Sequence, residues 1–351
     1  MTLFRAILRP LGIVGAGAMR SFSAASMASI KELRAKTSAP ISDCKKALEA
    51  SEGDMCGAFA WLRKRGAAKA SDLEKSGRAA TEGLVAVHAP NDHEAAIIQG
   101  TCETDFVPRN ETFQAYLHDV ASSALYERVP PPPASGVHNV NVESLLSIPL
   151  AAEGKHAGAS VGDALADLVG KIREKISLHR AARVAALPGV VGSYVHGCVD
   201  MDRYPGLGSS AAVVVIGCDR KLGSEGEMHL APNEAVMKVL RPLAKKLAMH
   251  VVATKPKYVG AQDIPIEVID SERNLLRQQA LDAGKPPAIV DKVVEGRIQK
   301  YLGEVALLCQ LHVVEVDSPP VSAVLNAASK DISALLKEKV KLTIDGFILC
   351  P

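Results

Sequence analysis

The pattern that most restricts the fold is a unit of strand, hairpin and helix that occurs twice, over roughly residues 81–127 and 181–253. In the first occurrence, Gly83-Leu84-Val85-Ala86-Val87-His88 and Ala95-Ala96-Ile97-Ile98-Gln99-Gly100 flank the turn residues Pro90-Asn91-Asp92. Two apolar runs around such a turn predict a β-hairpin. Residues 112–126 follow with Phe113, Tyr116, Leu117, Val120 and Leu125 in helical phase, one apolar stripe. In the second occurrence, 184–187, 190–195 and 211–218 are strand-like and 233–252 is a long helix. A helix over 161–179 precedes it, with Ala164, Leu165, Leu168, Ile172 and Ile176 in phase. The repetition predicts an α+β protein whose core is two similar α/β lobes, over 81–160 and 161–262, with low identity between them. Aromatic residues make up only 4% of the chain, so these lobes must be packed with aliphatic side chains.

The flanking regions read differently. Residues 29–66 hold three short helices: one begun by Ile30, Leu33 and Arg34, one over 44–50 capped by Ser42 or Asp43, and one over 55–65 capped at Asp54 and closed by Gly66. Ile41, Ala47, Leu48, Ala58, Phe59 and Leu62 are the expected core of this module. Residues 67–80 are Ala-, Lys- and acid-rich and read as a helical or flexible linker. Residues 129–136, with four successive prolines, form a polyproline-like surface insertion in the first lobe. Over 263–305, two charged helical stretches flank Asp282-Ala283-Gly284-Lys285-Pro286-Pro287, which predicts a helical hairpin projecting from the body. The last segment, 306–351, ends in a strand with Val340, Leu342 and Ile344 on one face.

Charge narrows the function. Lys and Arg number 41 against 39 Asp and Glu. A dedicated nucleic-acid binder carries a larger basic excess, so no direct nucleic-acid partner is expected. Up to residue 29 there are three arginines, Arg5, Arg9 and Arg20, and no acid. Phe4, Ile7, Leu8 and Leu11 fall at helical spacing on another flank. This pattern reads as a mitochondrial or plastid transit peptide, and Arg20-Ser21-Phe22-Ser23 resembles a mitochondrial processing site cut after Phe22, which predicts a mitochondrial transit peptide over 1–22 and a matrix location. The rival, a secretory signal with 10–19 as its apolar run, is opposed by Arg20 and the glycines. Removing 1–22 leaves 38 basic residues facing 39 acidic ones, a net of −1. The longest uncharged run, 184–199, is short for a membrane span and holds Pro188 and three glycines, so no membrane segment is expected. The seven cysteines are widely spaced without a C-x-x-C pair, which reads as free thiols rather than a disulfide framework or zinc site.

Catalytic motifs are absent: there is no G-x-x-x-x-G-K-[ST], no H-E-x-x-H and no G-x-S-x-G. No metal or cofactor is expected. Pro205-Gly206-Leu207-Gly208-Ser209-Ser210-Ala211-Ala212 resembles the phosphate loop of GHMP-family small-molecule kinases. Such loops need a helix N-terminus behind them, and Val213-Val214-Val215-Ile216 is strand-like, so a turn leading into a strand is the better reading. The most pointed feature is Cys102-Glu103-Thr104-Asp105-Phe106-Val107, between an apolar strand and a helix. It either presents a carboxylate beside an exposed aromatic, or caps the helix with Asp105 and turns Phe106 into the core.

Several blocks together resemble the translation elongation factor Ts (EF-Ts) family, in its organellar form. Residues 33–48 match the family's first signature, and Gly53-Asp54 and 62–66 follow it in place. Residues 102–107 match the second signature, with its Thr104-Asp105-Phe106-Val107 core intact. Residues 183–187, 192–197 and 249–256 match later blocks, and 284–286 and 294–297 match a projecting hairpin. Beyond Leu308 the match is weak. The resemblance implies a UBA-like (ubiquitin-associated-like) N-terminal module and guanine-nucleotide exchange on elongation factor Tu (EF-Tu), without bond chemistry. It implies a heterodimer or higher complex with mitochondrial EF-Tu. By resemblance, Asp105 and Phe106, flanked by Thr104 and Val107, enter the partner near its nucleotide-associated magnesium. His196 lies near the partner's phosphate loop, and Arg34 and Ile41 touch its nucleotide domain. Pro108 and the stretches 130–136 and 206–210 depart from the family pattern. The competing readings are the kinase and a bare UBA-like module fused to an unrelated domain.

Overall fold

A computed structural model describes residues 26–37, 39–75, 77–126, 135–151, 158–220, 234–283 and 286–351. The expected transit peptide and nearly all of the Pro-rich insertion lie outside the described residues. The chain divides into two compact units, up to Arg65 and from Gly66 onward.

The first unit holds α1 (Met27–Thr37), α2 (Ile41–Ala50) and the start of α3 (Met55–Lys75). Ile30, Leu33, Ala39, Cys44, Ala47, Leu48 and Ala58 are its buried core, with Phe59, Trp61 and Leu62 packed against them. Asp54 caps α3 as expected, its carboxylate accepting from the Cys56 and Gly57 amides at 3.3 and 2.7 Å. Two expectations need correction. Helix α2 starts at Ile41, so Ser42 and Asp43 sit inside its first turn; Asp43 is buried 3.7 Å from the Arg65 guanidinium instead of capping. Ile41, expected in the core, is 50% exposed at the helix's first position.

Helix α3 does not stop at Gly66 but runs to Lys75. Alanines, Lys69, Leu73 and Glu74 favour helix, and their summed propensity outweighs about 1 kcal/mol for one internal glycine. Much of the expected linker is therefore helical.

The second unit has two sheets. The first comprises β1 (Glu82–His88), β2 (Glu94–Cys102), β3 (Gly136–Asn139), β4 (Ile176–Ala185) and β6 (Leu207–Gly208), in the order β3-β4-β2-β1-β6. Helices α4 (Glu111–Tyr126), α5 (Val142–Leu146) and α6 (Val161–Ile172) accompany it. The second sheet has the order β5-β7-β8, from β5 (Gly189–His196), β7 (Ser210–Arg220) and β8 (Val340–Cys350). Helices α7 (Glu234–Thr254) and α10 (Val321–Leu336) accompany that one.

Alternation along the strands stacks these elements. Leu84, Ala86, Ala96 and Ile98 cluster with Phe113, Tyr116, Leu117 and Val120 of α4 and with Leu168 of α6. Their neighbours Val85, Ala95 and Ile97 cluster with Val191, Ala211, Val213 and Val215 of the other sheet. On the far face, Val190, Ala212, Val214 and Ile216 meet Leu240, Ala244 and Leu247 of α7 and Ile332 of α10. Period-two side chains thus give four layers, helix on sheet on sheet on helix.

The two lobes repeat in more detail than their sequences suggest. Each is two antiparallel strands, helices, and a third strand returning beside the second: β1-β2-α4-α6-β4, then β5-β7-α7-α10-β8. The second strands both shift register, between Gln99 and Gly100 and between Val215 and Ile216. Ala95-Ala96-Ile97-Ile98 and Cys102 of β2 then correspond to Ala211-Ala212-Val213-Val214 and Cys218 of β7. Gly83, second in β1, and Gly189, first in β5, are equivalent, and a Cβ there would collide with the carbonyl oxygens of Gly100 and Ile216. By strand pairing, the first repeat runs through β4 and the second begins at β5. Helix α6 ends at Ile172 because Arg173 is left-handed (φ 67°), and the expected helix to 179 gives way to β4.

The hairpin forms from α8 (Ile266–Asp282) and α9 (Pro287–Val305). Ala280, Val290, Val294 and Ile298 make a small core between them, with Leu276 and Leu302 against it. Most of α8 is solvent-facing, in line with its polar sequence.

One buried polar pair carries a pH prediction. His250 and His312 are fully buried and stack with ring centroids 5.0 Å apart. The Val313 amide donates to His250 Nδ1 at 3.3 Å, so Nε2 holds the proton and donates to Gln310 Oε1 at 3.0 Å. Burial lowers both histidines below the usual range, and for His312 the neighbouring His250 and Lys246 add to this against Glu315. The unfolded chain therefore takes up protons first as pH falls. This stability is present above about pH 6.5 and declines below it. Thermal midpoints measured from pH 7.5 to 5.5 are expected to fall, and His312→Gln to flatten that fall.

Candidate functional site

Strand β2 ends at Cys102, and the turn after it is held almost atom by atom. Cys102 is fully buried; burial, then the Glu174 and Glu82 carboxylates, push its thiol up to about 12, so it stays protonated. Its Sγ–H donates to the Thr104 carbonyl at 3.3 Å. Glu103 accepts the Lys175 amide at 2.8 Å and faces Arg78 at 3.4 Å. Thr104 donates its amide to Glu174 at 3.2 Å and its hydroxyl to the same carboxylate at 3.0 Å. Val107 is buried in the first lobe's core and starts a single 3-10 turn over Val107–Arg109.

Between these anchors, Asp105 and Phe106 form a two-residue tip. Asp105 does not cap α4; Asn110 does, accepting the Thr112 amide at 2.8 Å. The Asp105 carboxylate is exposed, 3.4 Å from the Arg109 guanidinium. Phe106 is 72% exposed, the one aromatic among the large exposed hydrophobic side chains of the described residues. Burying a phenylalanine is worth about 1.5–3 kcal/mol, which folding forgoes here. The ring is thus held at the surface on a turn anchored at Thr104 and at Val107. Pro108 continues the turn, its carbonyl accepting from Gln114 Nε2 at 2.9 Å.

His196 ends β5, exposed, with its ring 3.4 Å from the Tyr194 hydroxyl and its carbonyl accepting the Ser209 amide at 3.0 Å. Its place follows from the sheet register. Cys102 pairs with Glu82 at the start of β1 and Gly208 with Val85 in its middle, while Leu207 and Gly206 continue beside Ala86 and Val87 towards its other end. Three residues of strand separate those pairings, roughly 10 Å. The loop after His196 is also tied to the start of α4 by Arg203, 3.3 Å from Glu111. Arg34 and Ile41, both exposed, belong to the first unit.

The glycine-rich stretch makes no phosphate cradle. Leu207–Gly208 pairs as β6 with β1, and Ser210 opens β7, so a strand rather than a helix stands behind it. Among the described residues, no group of three or more His, Cys, Asp or Glu could hold a metal ion. No helix there is long and apolar enough to cross a membrane.

The family model for elongation factor Ts matches residues 103–342, from the clasped turn to the last strand. The chain belongs to the elongation factor Ts family. Elongation factor Ts of Paramagnetospirillum magneticum is 38% identical over 308 residues, covering 88% of this chain and 86% of its own length. That of Maricaulis maris is 38% identical over 322 residues, covering 91% and 89%. A mitochondrial elongation factor Ts of Ricinus communis is 36% identical over 318 residues, covering 90% and 79%. A role in translation elongation follows from this membership. Sequence reasoning about the EF-Ts signature includes Glu103 but misses Arg78, Glu174 and Lys175, which help to hold its turn. Glu174 is 70 residues from Thr104, and no local spacing announces the pairing.

Proposed function

We propose that the chain is a guanine-nucleotide exchange factor for mitochondrial elongation factor Tu, forming a heterodimer or higher complex with it in the matrix. The observation that carries this reading is the exposed Phe106 ring beside Asp105, on a turn fixed at both ends. Phe106 wedges between partner side chains near the magnesium site, and Asp105 disturbs the network holding the ion. The phosphates of GDP then lose their counter-charge and the nucleotide leaves faster. His196 approaches the phosphate loop, and Arg34 and Ile41 meet the nucleotide domain. Thr104 and Val107 fix the tip that makes the contact.

The chain performs no bond chemistry in this mechanism. It lowers a release barrier, with about 1.4 kcal/mol needed per tenfold gain in rate. Coupling is reciprocal: whatever weakens GDP binding in the complex is weakened by GDP in turn, so incoming nucleotide displaces the factor. The test is release of labelled GDP from mitochondrial elongation factor Tu, with and without the chain lacking 1–22. Strong acceleration is expected, and unchanged release with a folded cognate partner rejects the reading. Full activity after deletion of 81–256 would favour the bare UBA-like module instead. For location, a reporter carrying residues 1–30 is expected in mitochondria, and Arg5, Arg9 and Arg20 changed together to Glu should leave it in the cytosol.

A further inference from the structure

We infer that Glu174 is a positioning residue for the exposed tip: its carboxylate clasps Thr104 and thereby sets where Phe106 points. The clasp is reciprocal. Glu174 takes the Thr104 amide and hydroxyl, while the next residue, Lys175, gives its amide to Glu103 at 2.8 Å. Two short segments, 103–104 and 174–175, thus exchange carboxylate-to-amide bonds across the junction of β2 with the α6–β4 turn. Bonds to an ionised acceptor are the stronger kind, and their geometry is narrow.

The position of Glu174 is itself built. Arg173 adopts the left-handed conformation at the end of α6, and its amide bonds the Val169 carbonyl, closing the helix. That turn reverses the chain directly into β4, which pairs beside β2 with Ile176 opposite Cys102. The Glu174 side chain is therefore delivered to the end of β2 by the sheet register. On the other side, Val107 is buried in the core. Asp105 and Phe106 have only two residues of freedom between Thr104 and Val107. Removing the clasp at Thr104 frees one end of the tip and leaves Phe106 to sample orientations that do not fit a partner.

This inference rests on the exchange reading for its functional consequence, but not for the clasp itself. The test uses the full processed chain with Glu174→Ala, Phe106→Ala and both together. Amide hydrogen exchange over 103–107 is read in the free protein, and GDP release from elongation factor Tu is read in the complex. Glu174→Ala is expected to speed amide exchange over 103–107 by about tenfold or more, with protection in β7 and α7 retained. It is expected to slow factor-driven GDP release roughly tenfold in the parent, yet by less than about twofold in the Phe106→Ala background, because a residue acting through Phe106 has nothing left to position. Thr104→Val removes the hydroxyl while keeping the amide, and Glu174→Gln keeps one acceptor oxygen; both should fall between parent and Glu174→Ala. These milder changes decide the matter if Glu174→Ala does not fold. Unaltered protection over 103–107, or effects on release that simply multiply, overturn the inference. Failure of the unmodified chain to accelerate release rejects the exchange reading alone, and the protection data still decide whether Glu174 holds the turn.

Discussion

Phe106→Ala is expected to reduce the acceleration of GDP release by about a hundredfold while leaving the thermal midpoint of the chain unchanged. The two halves of this expectation come from one observation, the 72% exposure of the ring. An exposed ring contributes little buried area to folding, so its truncation removes little stability. A rigidly presented aromatic at an interface is the kind of side chain whose truncation costs about 2–4 kcal/mol of interaction, and tenfold in rate for each 1.4 kcal/mol. Asp105→Ala should follow the same direction with a smaller loss. Its exposed pairing with Arg109 is of the class worth about 0–1 kcal/mol to folding, so stability is again spared. Stopped-flow release of fluorescent GDP, run beside thermal melts of each variant, separates the two effects. Retained exchange with a lowered melting point would make Phe106 a structural residue and remove it from the mechanism.

The local half of this site is legible in the sequence and the distant half is not. The run from Thr104 to Val107, at the end of an apolar strand, is visible as a signature, and exposure of Phe106 resolves the choice between wedge and core in favour of the surface. The clasp is invisible because Glu174 meets Thr104 only after β4 has paired with β2. The lobes show a similar division. Alternation marks each second strand, and the 3.6 period marks α4 and α7. Each lobe's third strand is harder. Strand β4 follows α6 so closely that Ile176 continues the helical phase, and only the left-handed Arg173 ends it. Strand β8 is recognisable as a strand from its alternation, but its pairing with β7 depends on a return across more than a hundred residues. Gly66 misleads for a related reason: a glycine after an apolar stripe reads as a helix stop, whereas helix-forming residues on both sides carry α3 to Lys75. Ile41 is apolar in a small module with few apolar residues, which invites a core assignment. Its place at the first position of α2 turns it outward instead.

Gly192→Val is expected to destabilise the second lobe by about 3 kcal/mol, the upper end of what overpacking costs, without touching the tip that carries Phe106. The repeat supplies the reason. Gly83 and Gly189 occupy equivalent positions in β1 and β5, so Gly192 corresponds to Ala86, three residues further along each strand. Both face the helix layer, Ala86 beneath α4 and Gly192 beneath α7. The two lobes nevertheless differ there. Ala86 carries its methyl group in a buried site, whereas a Cβ on Gly192 would lie 2.5 Å from both the Ala244 Cβ and the Ala244 carbonyl oxygen. That obstacle is largely backbone, and backbone cannot rotate away as a flexible side chain does. Helix α7 must therefore lift from β5, loosening Leu240, Ala244 and Leu247 together. The converse change in the first lobe, Ala86→Gly, removes one methyl group and adds backbone freedom, and should cost only about 1 kcal/mol. Denaturant unfolding gives the free energies, and amide exchange in α7 against α4 locates the loss. Equal stability of Gly192→Val and the parent would show that α7 can shift at little cost, and the close approach of helix to strand would then not be what fixes the second lobe.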